Sequence, residues 1–348
     1  MRRAPFALLI LLLGLPARAG EILSGPVLHA SAPGTMTITW TTGEESVGEL
    51  RYGMESFDRI ATEQQPATRH LIQLDDLEPG RRYRYQVSGG PGGTFRAGPE
   101  GDASFRFTVS GDTRTQHLYH RTVLDRILTL RPDLHINTGD LVEDGGSPVL
   151  WEFFFRIEHD LLRHVPFLPV VGNHDRSEQD LYQDTWRLPG VREDPCTYAL
   201  RYANTLFLVL DDSKIGGGGD QQDLWLLAEL EEAKQDASVR HIVPLWHEPP
   251  LSSGNHANAT NRHMLGWMHA AFKQAGVRVV FNGHDHGVAG GGGAPQHGAM
   301  SPPPPNPQEH SVVFAYAYSF VLVHVAGDRL VLTAYDIDGD RIDHVEIE

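Results

Sequence analysis

A chain of 348 residues that is 40% hydrophobic holds enough apolar material for about two cored domains. Its formal charge of −16 argues against a broad nucleic-acid footprint, which needs clustered cations against phosphates. The single cysteine, Cys196, excludes an intrachain disulfide, which is compatible with export to a bacterial periplasm or exterior.

The first residues read as a secretory signal over 1–19. Arg2 and Arg3 form a basic start, Ala7 to Leu15 an apolar run too short to span a bilayer, and Ala17-Arg18-Ala19 a small-x-small cleavage site before Gly20. The expected product is secreted or periplasmic, without a stable membrane anchor after cleavage. Losing Arg2, Arg3 and Arg18 takes its formal charge from −16 to −19. An anionic substrate on so acidic a protein needs a local positive centre, which a bound metal supplies.

Residues 22 to 100 read as all-β. Thr35 to Trp40 alternates with strand period, and Val47 to Tyr52 and Tyr83 to Val87 are further strands with Gly and Pro between them. A small β-sandwich is expected, with Trp40 as core.

At Phe105 the pattern changes. Phe105 to Val109 is a strand ending in Ser110-Gly111-Asp112. A helix follows with Val123, Leu124, Ile127 and Leu128 on one face. Leu134 to Asn137 leads to Gly139-Asp140. Pro166 to Val171 reads as a buried strand that stops at Gly172, before Asn173-His174-Asp175. Thr205 to Leu210 ends in Asp211-Asp212, and Leu224 to Lys234 is a helix. His241 to Trp246 leads to His247, and Met264 to Gln274 is a helix stopped by Gly276. Val277 to Phe281 reads as a strand leading to Gly283-His284-Asp285-His286. Gly287 to Pro307 is low-complexity and reads as an irregular loop. Val312 to Val325, Leu330 to Tyr335 and Arg341 to Ile347 close the chain as antiparallel strands, with Asp338-Gly339 a hairpin turn. Strand and helix alternate with polar residues at one end of each strand. This predicts an α/β layered domain with its site along one sheet edge.

The strand-end groups Asp112, Asp140, Asn173, His247, His284 and His286 are carboxylates, an amide and imidazoles, with no thiolate. Such a set suits zinc, manganese or iron, and six groups hold two metals if one carboxylate bridges. Asn173 offers a neutral oxygen to a cation, His174 a titratable proton, and Asp175 a carboxylate to orient that imidazole.

In their order Gly111-Asp112, Gly139-Asp140, Gly172-Asn173-His174-Asp175, His247 and Gly283-His284-Asp285-His286, these blocks resemble the calcineurin-like metallophosphoesterase superfamily, in its purple acid phosphatase-like branch. Thr39-Trp40-Thr41-Thr42, Arg51-Tyr52-Gly53 and Leu77-Glu78-Pro79-Gly80 are similar to the fibronectin type III-like domain of that branch. The resemblance implies an α/β fold, an α+β four-layer metallophosphoesterase sandwich over 101–348, preceded by a small all-β sandwich domain over 20–100. It implies two divalent or trivalent metal ions (Fe, Zn or Mn) acting on a small-molecule phosphate ester. Asp140 would bridge them, Asn173, His247 and His284 would complete one metal, and Asp112 and His286 would serve the other. A metal-bridging hydroxide would attack phosphorus, with His174 as general acid steadied by Asp175.

Two positions depart from the pattern. Glu143 stands where the purple branch has an iron-binding tyrosine, and reads either as a replacement ligand or as a solvated loop carboxylate. Arg114 stands where the wider superfamily has a histidine, and reads either as a phosphate contact or as the partner of a nearby carboxylate. His256 is a candidate substrate contact or a plain loop histidine. The alternative function is a secreted binding or adhesion protein whose phosphoesterase domain is degenerate.

Overall fold

The structure is a computed structural model that describes residues 21–251, 263–285 and 317–348. The expected signal over 1–19, the Gly- and Pro-rich stretch 287–307, His256 and His286 lie outside the described residues, as does the start of the strand expected from Val312. Among the described residues no helix is long and apolar enough to cross a membrane.

Seven strands make up the β-rich N-terminal region: β1 (Ile22–His29), β2 (Met36–Ser46), β3 (Glu49–Gly53), β4 (Arg59–Thr62), β5 (Ala67–Leu74), β6 (Arg82–Val87) and β7 (Gly92–Arg96). They form two sheets, ordered β1-β2-β5 and β4-β3-β6-β7. Period-two patterning sets their faces. In β6, Tyr83, Tyr85 and Val87 point into the core while Arg82 and Arg84 are exposed. Met36, Ile38 and Trp40 of β2 enter the same core. Thr37 and Thr39, on the opposite face of β2, are buried as well, and Thr39 Oγ1 lies 2.9 Å from His29 Nε2. This second face is covered because β1 packs on the following region, where Val27 joins a cluster with Trp151, Phe167 and Trp186.

Residues from Phe105 onward build four layers. A six-stranded sheet has the order β10-β9-β8-β14-β15-β16, from β8 (Phe105–Ser110), β9 (Leu134–Asn137), β10 (Phe167–Pro169), β14 (Ser319–Ala326), β15 (Arg329–Asp336) and β16 (Arg341–Ile347). A second sheet is β11-β12-β13, from β11 (Tyr198–Tyr202), β12 (Thr205–Val209) and β13 (His241–Leu245). The two sheets face each other through Phe105, Phe107 and Val109 on one side and Phe207, Val209 and Val243 on the other. The outer face of the first sheet is covered by α1 (His117–Leu130) and α2 (Pro148–Leu162), that of the second by α4 (Gln221–Gln235) and α5 (His263–Ala275). A short α3 (Leu181–Trp186) lies between β10 and β11 in the chain. Strand β12 shows why its sequence is apolar throughout. Phe207 and Val209 point between the sheets while Leu206 and Leu208 meet the helices.

The structure corrects one expected strand. Val277 to Phe281 forms only a single parallel bridge, Leu245 to Phe281. Phe281 N–H donates to the Pro244 carbonyl at 3.2 Å, but Pro244 has no N–H with which to extend a ladder. The buried strand before Gly172 is also shorter than its apolar run suggests, ending at Pro169. Helix α2, which the sequence reading passed over, starts on Pro148 and buries Trp151, Phe154, Leu161 and Leu162.

His135 of β9 is fully buried between Thr108 Oγ1 at 2.9 Å and Ser110 Oγ at 3.4 Å. Burial lowers its pKa to about 4, with His120 pulling the same way and Glu158 opposing. The folded state therefore holds this imidazole neutral. Its contribution is complete above the unfolded value of 6.5 and is lost as pH falls toward 4. That gap corresponds to about 3 kcal/mol. The unfolding free energy from urea titrations should fall between about pH 7.5 and 4 by about this amount more in the wild type than in His135→Gln, which cannot titrate at this position.

Candidate metal centre

Strands β8, β9 and β10 run parallel, so their carboxyl ends share one edge. Asp112 follows β8, Asp140 follows β9, and Asn173 and His174 follow β10. From the second sheet, His247 follows β13 and His284 follows the Phe281 bridge. Backbone bonds stitch the loops together: Asp112 N–H donates to the Gly139 carbonyl at 2.9 Å, and Arg114 N–H to the Asp140 carbonyl at 3.0 Å. The loops are so close that glycine is required before two of the candidate ligands. A Cβ on Gly139, at φ +104°, would lie 2.6 Å from His247 Nδ1, and one on Gly172 would collide with the backbone N of Asp140.

Asp112, Asp140 and His284 themselves take left-handed backbone conformations, with φ of 54°, 55° and 67°. Such strain in non-glycine residues clusters at functional sites.

The candidate ligand atoms of Asp140, His247 and His284 lie within 4.8 Å of one another. Asn173 Oδ1 is 3.1 Å from His247 Nε2 and 3.1 Å from His284 Nδ1. His247 Nε2 is also 3.3 Å from Asp140 Oδ1. The other nitrogen of His247, Nδ1, donates to the Thr138 carbonyl at 2.8 Å, because a carbonyl only accepts. In the neutral ring Nε2 is then a lone pair facing two oxygens that are also acceptors. Three acceptors meet, two of them on the buried residues Asp140 and His247, and a cation between them relieves the repulsion. With protons as the only cations, burial opposes but the Asp140 hydrogen bond and charge push the His247 pKa up to about 10. Burial likewise opposes, but the His247 hydrogen bond and charge hold Asp140 well below the usual carboxylate range. The oxygen and nitrogen donors fit a divalent transition metal in the proton's place.

Asp112 is buried and its Oδ2 accepts the His284 N–H at 2.9 Å. Arg114, 7% exposed at its side chain, places Nε 3.1 Å from Asp140 Oδ2 and Nη1 on Glu143. It therefore pairs with carboxylates, one of the two readings open for it, and Glu143 is engaged by it at a half-exposed position.

Asp175 corrects the sequence reading. It does not steady the His174 imidazole. Its Oδ1 accepts N–H groups of Leu141 at 2.8 Å and Val142 at 3.1 Å, and its Oδ2 that of Gly172 at 2.8 Å. Three backbone donors converge on this buried side chain and turn it away from the ring. His174 Nδ1 instead donates to the Glu143 carbonyl at 2.8 Å. Burial and then the Asp140 charge push the Asp175 pKa up to about 7 against the pull of those N–H groups.

The sequence reading also missed a brace behind the site. Arg176 bonds both Asp211 and Asp212, and Asp212 Oδ2 accepts the Glu248 N–H at 2.7 Å, next to His247. The strand-end pair Asp211-Asp212 was the available signal.

A double-sheet α/β sandwich with carboxylate, amide and imidazole donors on its strand-end loops is the architecture of a metallophosphoesterase. The chain belongs to the calcineurin-like phosphoesterase family, whose model matches residues 105–288. It is 24% identical over 284 residues to purple acid phosphatase 18 of Arabidopsis thaliana, covering 74% of this chain and 64% of that protein. It is 26% identical over 234 residues to an uncharacterised protein of Mycobacterium tuberculosis, covering 56% of this chain and 44% of that protein. The chain thus spans less than two thirds of the length of either relative. Its fold is similar to that of a purple acid phosphatase from yellow lupin (Lupinus luteus) seeds, with a TM-score of 0.79 at 16% identity, over 93% of this chain and 74% of that one.

Asparagine at position 175 would put an amide N–H₂ against a backbone N–H. Asp175→Asn should therefore cost about 2–4 kcal/mol of stability, read from urea unfolding. It should also weaken Co²⁺ or Zn²⁺ binding by about 10- to 100-fold in calorimetry.

Proposed function

We propose that this protein hydrolyses phosphate esters with a metal held by Asp140, Asn173, His247 and His284, and with His174 as the general acid. The observation that carries this reading is the meeting of acceptor groups, those of Asp140 and His247 buried and those of Asn173 and His284 partly so, around one point that a cation reconciles. When bound there, a divalent ion such as zinc, manganese or iron supplies Lewis-acid charge for the phosphoryl oxygens and a nucleophilic water near neutral pH.

The chain's own residues do the rest. Thr138 fixes the His247 ring through Nδ1, so that Nε2 faces the site. Asp175 draws the Gly172, Leu141 and Val142 amides together, which sets the loops carrying Asp140 and Asn173. The Glu143 carbonyl holds His174 at Nδ1 and leaves Nε2 as the nitrogen that gives a proton to the departing oxygen. A small phosphate ester suits an acidic protein with a cation-demanding place at this edge. The family match and the purple acid phosphatase relatives support the same reaction class. The donor set around Asn173 Oδ1 favours this reading over a degenerate binding module.

Treatment with a chelator should abolish hydrolysis of p-nitrophenyl phosphate, and added Zn²⁺ or Mn²⁺ should restore it. Folded His247→Ala or Asn173→Ala should lose at least about 10³-fold in kcat/KM, and wild-type turnover by either overturns the reading.

The leaving group separates the role of His174 from that of the metal. His174→Ala should cost about 10²- to 10³-fold with an alkyl phosphate, whose alkoxide needs a proton, and much less with p-nitrophenyl phosphate. Equal losses on both substrates would remove His174 from the acid role.

A further inference from the structure

The loops that carry Asn173 and His247 belong to different sheets, and each is anchored on its own side. The loop after β10 is tied to the first sheet. Asp175 gathers the Leu141, Val142 and Gly172 amides, and the His174 N–H donates to Asp140 Oδ1 at 2.9 Å. The end of β12 is tied to α4. Gln222 Oε1 accepts the Asp211 N–H and Gln222 Nε2 donates to the Asp211 carbonyl, both at 2.9 Å. Ser213 adds its N–H and its Oγ to Asp211 Oδ1, at 3.1 and 2.6 Å. Asp212 therefore stands on a fixed platform at the edge of the second sheet.

Arg176 spans from the first anchor to the second. Its Nη2 lies 2.8 Å from Asp211 Oδ1 and also bonds Asp212 Oδ1. Both aspartates are buried, so the guanidinium supplies the counter-charge that two adjacent carboxylates need. The other oxygen of Asp212, Oδ2, accepts the Glu248 N–H at 2.7 Å. That N–H is one pole of the peptide joining His247 to Glu248. The other pole, the His247 carbonyl, accepts the Gly283 N–H at 2.9 Å. The peptide after His247 is thus gripped at both ends, by Asp212 and by the residue before His284.

We propose that Arg176 is a positioning residue for the metal centre: through Asp212 it fixes the peptide that follows His247, and so holds the His247 loop in register with Asn173 and Asp140. This rests on the metal-dependent phosphoesterase reading above. Removing the guanidinium leaves two like charges side by side. Their repulsion drives Asp212 off Asp211, and with it off the Glu248 N–H. His247 keeps its ring bond to Thr138 but loses one of the two grips on its main chain.

The test uses the full chain, stripped with chelator and titrated with Co²⁺ in a calorimeter, with circular dichroism and urea unfolding as controls. Arg176→Gln should bind Co²⁺ about 10- to 100-fold more weakly than the wild type. Arg176→Lys keeps the charge without the planar fork and should fall between the two. Asp212→Ala leaves Arg176 on Asp211 but releases the Glu248 N–H, and should weaken Co²⁺ binding as Arg176→Gln does. Saturating metal should restore hydrolysis of p-nitrophenyl phosphate and of an alkyl phosphate by Arg176→Gln in equal proportion. Where Arg176→Gln does not fold, Arg176→Lys and Asp212→Ala decide. Folded arginine variants with a lowered unfolding free energy but wild-type Co²⁺ affinity overturn the proposal. So does wild-type affinity in folded Asp212→Ala. A loss confined to the alkyl phosphate puts Arg176 behind His174 instead and overturns it as well. A wild type that binds Co²⁺ but hydrolyses no phosphate ester overturns the hydrolase reading alone. One that binds neither Co²⁺ nor Zn²⁺ overturns both.

Discussion

The bond from His247 Nδ1 to the Thr138 carbonyl organises the site. It joins the end of the second sheet to the turn after β9 of the first, across 109 residues of chain. It also decides the chemistry of the ring, because the nitrogen it leaves over points at Asn173 and Asp140. Gly139 and Gly283 crowd this imidazole closely enough that neither tolerates a Cβ without displacement. The packing of the two sheets therefore fixes an imidazole, and the imidazole sets a demand for positive charge.

That demand is met within an acidic protein by very few groups. Arg114 answers part of it through Asp140 Oδ2, and Arg176 answers a neighbouring one through Asp211 and Asp212. Both arginines sit one or two residues from a ligand or a loop-setting aspartate. Charge balance, backbone strain at Asp112, Asp140 and His284, and close loop approach are thus parts of a single local arrangement.

Much of this was legible in the sequence, for identifiable reasons. Period two exposed β2 and β8, an unbroken apolar run exposed β12, and glycines before polar strand ends marked loops that carry candidate ligands. The loops carrying Asp140, Asn173, His247 and His284 come together. What the sequence hid was carried by backbone atoms. The Thr138 and Glu143 carbonyls that hold His247 and His174 have no side-chain signature, and neither do the three amides that capture Asp175. Val277 to Phe281 has strand composition, but composition does not reveal whether a neighbour can accept a ladder. Helix α2 was missed because Trp151-Glu152-Phe153-Phe154-Phe155 is too uniformly apolar to show a clear face.

The sheet β1-β2-β5 has consequences beyond its own core. Arg69 of β5 donates to the carbonyls of Asp184, Thr185 and Arg187 at the end of α3, and Tyr85 Oη to that of Arg163 after α2. With Val27 seated among Trp151 and Phe167, severing the chain near residue 100 would open an oily wound on both halves. The N-terminal sandwich is a buttress for the helices behind the loops at the sheet edge, not a detachable head.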